Sequence, residues 1–220
     1  MAVYSSYGPV KPPIRFSRQE VGQILLAVSL LTFAFALFFS RSPRYSFLDA
    51  FILAAVAVPL GFLLHELGHK VVAQRYGFFA EFRAWYMGLV MAVFTAYIGF
   101  LFAAPGAVVI QGFGSARQNG RISAAGPGVN LVIGGTFAFV WFLLILTGLN
   151  FGIGMAITLT DLVAGVAFIN VLLGTFNMIP FGPLDGLKII RWDLKAYLLL
   201  LAPLGTLLVL GFLFFNPFFR

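Results

Sequence analysis

The chain has no cysteine among its 220 residues, which excludes disulfides and leaves any metal to be held by nitrogen or oxygen. Charge is nearly as scarce: 10% of residues are Asp, Glu, Lys or Arg, against 61% hydrophobic, and mean hydropathy is +1.00. Such a composition leaves too much apolar surface for a water-soluble domain and predicts a polytopic membrane protein, with the lipid bilayer as its surroundings. Several spans of roughly 20 residues each would use up most of the chain, leaving no room for a sizeable soluble domain. A role in nucleic-acid binding is not expected either. The 14 Lys and Arg residues flank apolar segments and form no patch, as expected of membrane orientation. No cleavable leader is expected, because the first twenty residues are polar and carry Lys11, Arg15 and Arg18.

Apolar runs predict five spans: about Gly22–Phe39, Phe47–Leu64 with helix continuing to about Tyr76, Ile122–Leu146, Met155–Met178, and Leu194–Phe215. Gly77 supplies a helix stop. Without repeats or flexible linkers, residues 1–220 read as one domain. The stretch Trp85–Ala104 is apolar enough for a sixth span, yet it is rich in strand-favouring residues (Tyr86, Val90, Val93, Phe94, Tyr97, Ile98) and broken by Gly88 and Gly99. Charge arbitrates. With the amino terminus cytoplasmic and no crossing here, eleven of the fourteen basic residues lie inside, leaving Arg41, Arg44 and Arg220 outside. The expectation is therefore a re-entrant or β element, paired through strands near Phe78–Arg83 and Ala107–Gln111, since open strand edges are not tolerated in lipid.

Both histidines of the chain fall in His65-Glu66-Leu67-Gly68-His69, at the end of the second span. Imidazoles at i and i+4 share a helix face and can bind one metal ion, and a glutamate between them can act on water at that ion. A catalytic zinc site takes three protein ligands, and here the third must be a carboxylate. Of the seven acidic residues, Glu66 is assigned as base. Glu20 and Asp193 read as solvated interfacial residues, and Glu81 reads as part of a solvated strand or loop. Asp49 lies near the start of the second span and Asp161 near the outer end of the fourth. Asp185 follows the fourth span at the depth of the histidines and is the best ligand on depth. Two histidines and a carboxylate suit zinc, and also iron or manganese.

Around Asp185 the sequence reads Asn177-Met178-Ile179-Pro180-Phe181-Gly182-Pro183-Leu184-Asp185-Gly186, where two prolines interrupt the helix and allow a carboxylate to turn toward a metal. With His65–His69 and Gly126-Pro127-Gly128-Val129-Asn130, this resembles the site-2 protease family of intramembrane zinc metalloproteases, whose motifs are H-E-x-x-H, G-P-x-x-N and N-x-x-P-x-x-P-x-D-G. The resemblance spans residues 65–186 and implies an all-α fold of five to six transmembrane helices with a small membrane-embedded β element. It implies a catalytic core at about 47–190, a β element at about 78–121, and peripheral spans at about 22–39 and 194–215. One zinc ion would be held by His65, His69 and Asp185, with Glu66 as general base. Asn177 and Asn130 would hold substrate backbone or an oxyanion, or else make helix-to-helix hydrogen bonds. Neither of the regulatory domains common in the family, PDZ and CBS, is recognisable, which makes the chain a minimal form.

The expected substrate is a transmembrane helix of another protein. Such a helix already satisfies its backbone hydrogen bonds, so it must unwind before a peptide bond meets the metal. The element from Phe78 to Gln111 would hold the unwound segment as an added strand. Two other classes are open to the same residues: a non-catalytic membrane binding protein, and an ion- or proton-coupled transporter in which Asp161 belongs to a relay. For Asp161 the competing reading is an interfacial residue at a helix amino terminus.

Overall fold

The computed structural model describes residues 14–112 and 114–215. Lys11 and Arg220, which entered the charge argument, lie outside the described residues. The protein is a polytopic all-α membrane protein: five helical segments are long and apolar enough to cross a bilayer. The first is α1 (Arg18–Phe39), capped by the Ser17 hydroxyl accepting from the Glu20 amide. The second starts as α2 (Phe47–Val58), where Ser46 and Asp49 cap each other's backbone. Pro59 brings no amide proton into this helix, and the chain widens into a π turn at Pro59–Leu63 before continuing as α3 (Leu64–Arg75). Gly77, with φ +82°, ends it.

Strand β1 (Phe79–Ala84) pairs antiparallel with β2 (Gly106–Gln111), Phe82 opposite Val108. Between them lies α4 (Tyr86–Ile98). Here the structure corrects the strand reading of residues 85–104. In lipid-facing surroundings a helix satisfies its own backbone groups whereas a lone strand does not, and this outweighs β-propensity. The helix has 13 residues, about 20 Å, short of the roughly 30 Å hydrocarbon core. At its tip Gly99 (φ +94°) turns the chain back, and the Arg41 Nη1 donates to the Tyr97 carbonyl at 2.6 Å. The return leg passes so close to α4 that a Cβ on Gly88 would collide with the Ala104 carbonyl. The two strand ends meet side by side, so this segment is re-entrant and not a sixth span.

The third span is α5 (Ala116–Thr147), opened by a Ser115–Gln118 capping box. The fourth is α6 (Leu159–Asn177), capped by Thr158 with Asp161. It starts four residues later than the apolar run suggested, because Met155, Ala156 and Ile157 donate their amides to the Asp49 carboxylate and are held outside the helix. The short α7 (Asp185–Trp192) follows, then the fifth span, which begins as α8 (Leu194–Leu210) with Asp193 as its cap. Helix α5 is the hub, packing on α3, α6 and α7. Gly68 lets α3 approach it closely, since a Cβ there would lie 3.0 Å from the Ala125 carbonyl oxygen.

Glu20 is a second correction. It is fully buried, not a solvated interfacial residue. Its carboxylate takes two 2.7 Å hydrogen bonds from Lys70, itself fully buried, and one from the Phe82 amide. Lys70 also donates to the Ala80 carbonyl, and the Phe16 ring lies 4.5 Å away. A buried charge needs such a partner set, and the set ties α1 to α3 and β1.

Candidate metal centre

The four-residue spacing of His65 and His69 on α3 turns both imidazoles to the face packed on α5. Asp185 arrives from the far end of α6, after residues 178–184 have broken the helix and α7 has begun. Close packing there depends on Gly186, where a Cβ would strike the Met178 carbonyl. A carboxylate distant in sequence thus meets the two histidines within one cluster. The Nε2 atoms of His65 and His69 lie 3.0 Å apart, and Asp185 Oδ2 lies 3.3 Å and 3.1 Å from them. All three residues are buried.

Hydrogen bonding fixes the chemistry of these atoms. His69 Nδ1 is 2.8 Å from the Ile122 carbonyl oxygen, which can only accept, so Nδ1 carries the proton. His65 Nδ1 is 2.6 Å from Asn130 Oδ1, whose orientation is set because Nδ2 of the same amide donates to the Gly61 carbonyl. Both Nε2 atoms therefore point lone pairs at each other and at a carboxylate. Burial alone would raise the Asp185 carboxyl. A positive charge on the imidazoles, His69 foremost, outweighs burial and holds the group well below the usual carboxylate range. Three converging electron-pair donors need a cation among them.

The residues fit zinc. Tetrahedral coordination with bonds of about 2.0–2.1 Å puts neighbouring ligand atoms roughly 3.3–3.4 Å apart, close to the spacing seen here. Space is reserved as well. A Cβ on Gly126 would lie 2.5 Å from His69 Nε2 and 2.6 Å from His65 Nε2, so the residue that could fill the cradle has no side chain.

Glu66, half-buried on the same helical turn, accepts from the Val108 amide at 3.0 Å through Oε2. That amide points away from β1, so the outward edge of β2 passes the metal cluster. By strand alternation Gly106 and Ile110 share that edge. The opposite edge of the sheet is capped. Phe82 and Ala84 donate to Glu20 and Gln23, and the Ala80 carbonyl accepts from Lys70 and Gln74. Among the described residues no side chain caps Gly106 or Ile110.

Of the two readings of Asn130, the structure shows the helix-to-helix hydrogen bonds. The residue is fully buried, and both ends of its amide are engaged by His65, Gly61 and Asn170, which leaves no donor for a substrate or oxyanion. Asn177 is half-buried at the end of α6 and donates one turn back to the Leu173 carbonyl, with no bond to the cluster. Asp161 lies at the other end of α6, where it caps the helix and pairs with Arg44 at 2.6 Å. The sequence reading missed Asn170, Gly61 and the Ile122 carbonyl. The last two act through the backbone, which no residue pattern encodes, and Asn170 sits outside every motif.

Fold and cluster together define a polytopic membrane protein with a buried His–His–Asp cluster able to hold a metal ion. No protein-family profile and no solved structure matches the chain. Among curated proteins, it is 37% identical over 186 residues to "Putative zinc metalloprotease MJ0611" of Methanocaldococcus jannaschii, an overlap of 81% of this chain and 87% of that protein. It is 31% identical over 138 residues to "Putative zinc metalloprotease Rip3" of Mycobacterium tuberculosis, covering 62% of this chain and 30% of that one. The chain belongs to the site-2 protease family of zinc metalloproteases.

Proposed function

We propose that the protein is a zinc-dependent intramembrane endopeptidase that hydrolyses a peptide bond within or near a transmembrane helix of another membrane protein. One observation carries this reading: three buried donors converge beside Glu66, and the outward edge of β2, capped there only by Glu66 at the Val108 amide, runs past the same point. In this reading His65, His69 and Asp185 hold one zinc ion. When bound, zinc supplies a Lewis acid that acidifies water and polarises a carbonyl. Glu66 takes the proton from the attacking water and delivers it to the leaving amine, the role for which its place between the two histidines suits it.

A substrate segment, once unwound, pairs as an added strand with β2. That edge is favoured because the β1 edge is already closed by Glu20, Gln23, Lys70 and Gln74. Asn177, one loop away from Asp185, is the remaining candidate for holding substrate backbone. The same reading puts the amino terminus and the metal-binding end on the cytoplasmic side, supported by the charge bias alone.

The test is cleavage of a single-span reporter by purified protein in liposomes, beside Glu66→Gln and a chelator-treated sample. Cleavage that survives in either control sinks the reading. Stoichiometric zinc with no cleavage of any span in a panel of reporters favours a binding protein instead.

A further inference from the structure

We propose that Asn170, an α6 residue outside all three motifs, is a positioning residue for the metal centre: acting through Asn130, and together with the Gly61 carbonyl, it holds the proton of His65 on the nitrogen away from the cluster. The inference rests on reading His65, His69 and Asp185 as metal ligands. The two histidines are held in different ways. His69 Nδ1 meets a backbone carbonyl, that of Ile122, which leaves one tautomer available. His65 Nδ1 meets a side-chain amide, which presents either an oxygen or an NH2 group depending on its orientation. Only the first leaves Nε2 free for metal. With the amide reversed, its NH2 would donate to His65 Nδ1, and the ring proton would move to Nε2 and block it.

The orientation of Asn130 is set by a chain of groups with no ambiguity at its far end. The Val166 carbonyl can only accept, so at 2.9 Å Asn170 must present Nδ2 to it and turn Oδ1 toward Asn130. Asn130 Nδ2 then donates one proton to Asn170 Oδ1 at 3.0 Å and the other to the Gly61 carbonyl at 2.9 Å. Reversal would set Asn130 Oδ1 against two acceptors at once. Asn130 and Asn170 are both fully buried, so no water relieves that clash. Gly61 contributes because it lies in the π turn after Pro59. Removing Asn170 leaves one of the two acceptors and a buried amide proton without a partner.

The experiment is zinc affinity, by competition with a chromogenic chelator, on the purified full chain carrying Asn170→Leu, Asn170→Ser, Asn130→Ala, or Asn130→Ala with Asn170→Leu. Leucine keeps the volume. The serine hydroxyl can back-bond to the Val166 carbonyl but is too short to reach Asn130. Both Asn170 variants should weaken zinc binding on the order of tenfold, in the range of outer-shell ligand partners. The double variant should bind no more weakly than Asn130→Ala alone, since Asn170 acts only through Asn130. Thermal unfolding of the zinc-free proteins separates this from general destabilisation, which the cycle would register as an equal loss in both backgrounds. Affinity within about twofold of wild type in both Asn170 variants, or an undiminished loss in the Asn130→Ala background, overturns the proposal. Neither readout uses proteolysis. Intact zinc coupling with no cleavage refutes the protease reading alone, and a wild-type protein that binds no zinc refutes both.

Discussion

Replacing Glu66 by glutamine keeps the shape of the side chain and removes its basicity. The expected result is zinc content equal to wild type with cleavage reduced by about 10²–10⁴-fold, measured by metal analysis and reporter hydrolysis on one preparation. Gly126→Ala should give the complementary phenotype. The added methyl would sit 2.5–2.6 Å from the two Nε2 atoms, so zinc is lost while the zinc-free helix stays folded, alanine being the better helix former. Circular dichroism with metal analysis checks both halves. The two residues were unequally legible. Glu66 could be read from the H-E-x-x-H pattern because consecutive helical positions fix its relation to His65 and His69. The steric role of Gly126 depends on how closely α5 packs on α3, which no local pattern reveals.

At the scale of elements, the sheet has one closed edge and one open edge. Ile110→Pro removes an amide from the open edge and leaves the ladder between β1 and β2 intact. Cleavage should fall several-fold, up to about tenfold, with zinc binding unchanged if substrate pairs there, an effect on the order of the 0.5–1.5 kcal/mol of a lost hydrogen bond. The closed edge depends on the Glu20–Lys70 pair. Glu20→Ala strands a buried ammonium and should destabilise the fold by about 3–5 kcal/mol, whereas Glu20→Ala combined with Lys70→Met should recover much of the loss. Thermal unfolding in detergent measures both. Glu20 was misread because its position, two residues into the first helix, matches that of a solvated capping residue. Its burial comes from Lys70, fifty residues on, and from β1 closing over both.

For the whole molecule, the absence of cysteine makes the natural sequence a blank for labelling. Asn150→Cys and Arg191→Cys introduce single thiols at exposed positions on either side of the fourth span. In sealed inverted vesicles a membrane-impermeant maleimide should modify the second and spare the first. The opposite pattern would reverse the orientation. Zinc held by His65, His69 and Asp185 would link α3 to α7 across the hub α5, so chelation should lower the unfolding temperature and zinc should restore it, as for any ligand bound only by the native state.

The sequence alone determined the membrane class, the approximate positions of the five spans, and the three motifs from which the metal ligands were inferred. These follow from composition, helical periodicity and short-range spacing, all of which are local. Tertiary structure decided the rest. It made residues 86–98 helical against their strand propensity, because backbone groups facing lipid must be satisfied within their own segment. It withdrew Asn130 from substrate contact and placed it behind His65, buried Glu20 on Lys70, and brought Asn170 into the same network. Each of these outcomes turns on which buried polar groups find one another across packed helices, a question of distance in space over separations of 40 to 65 residues.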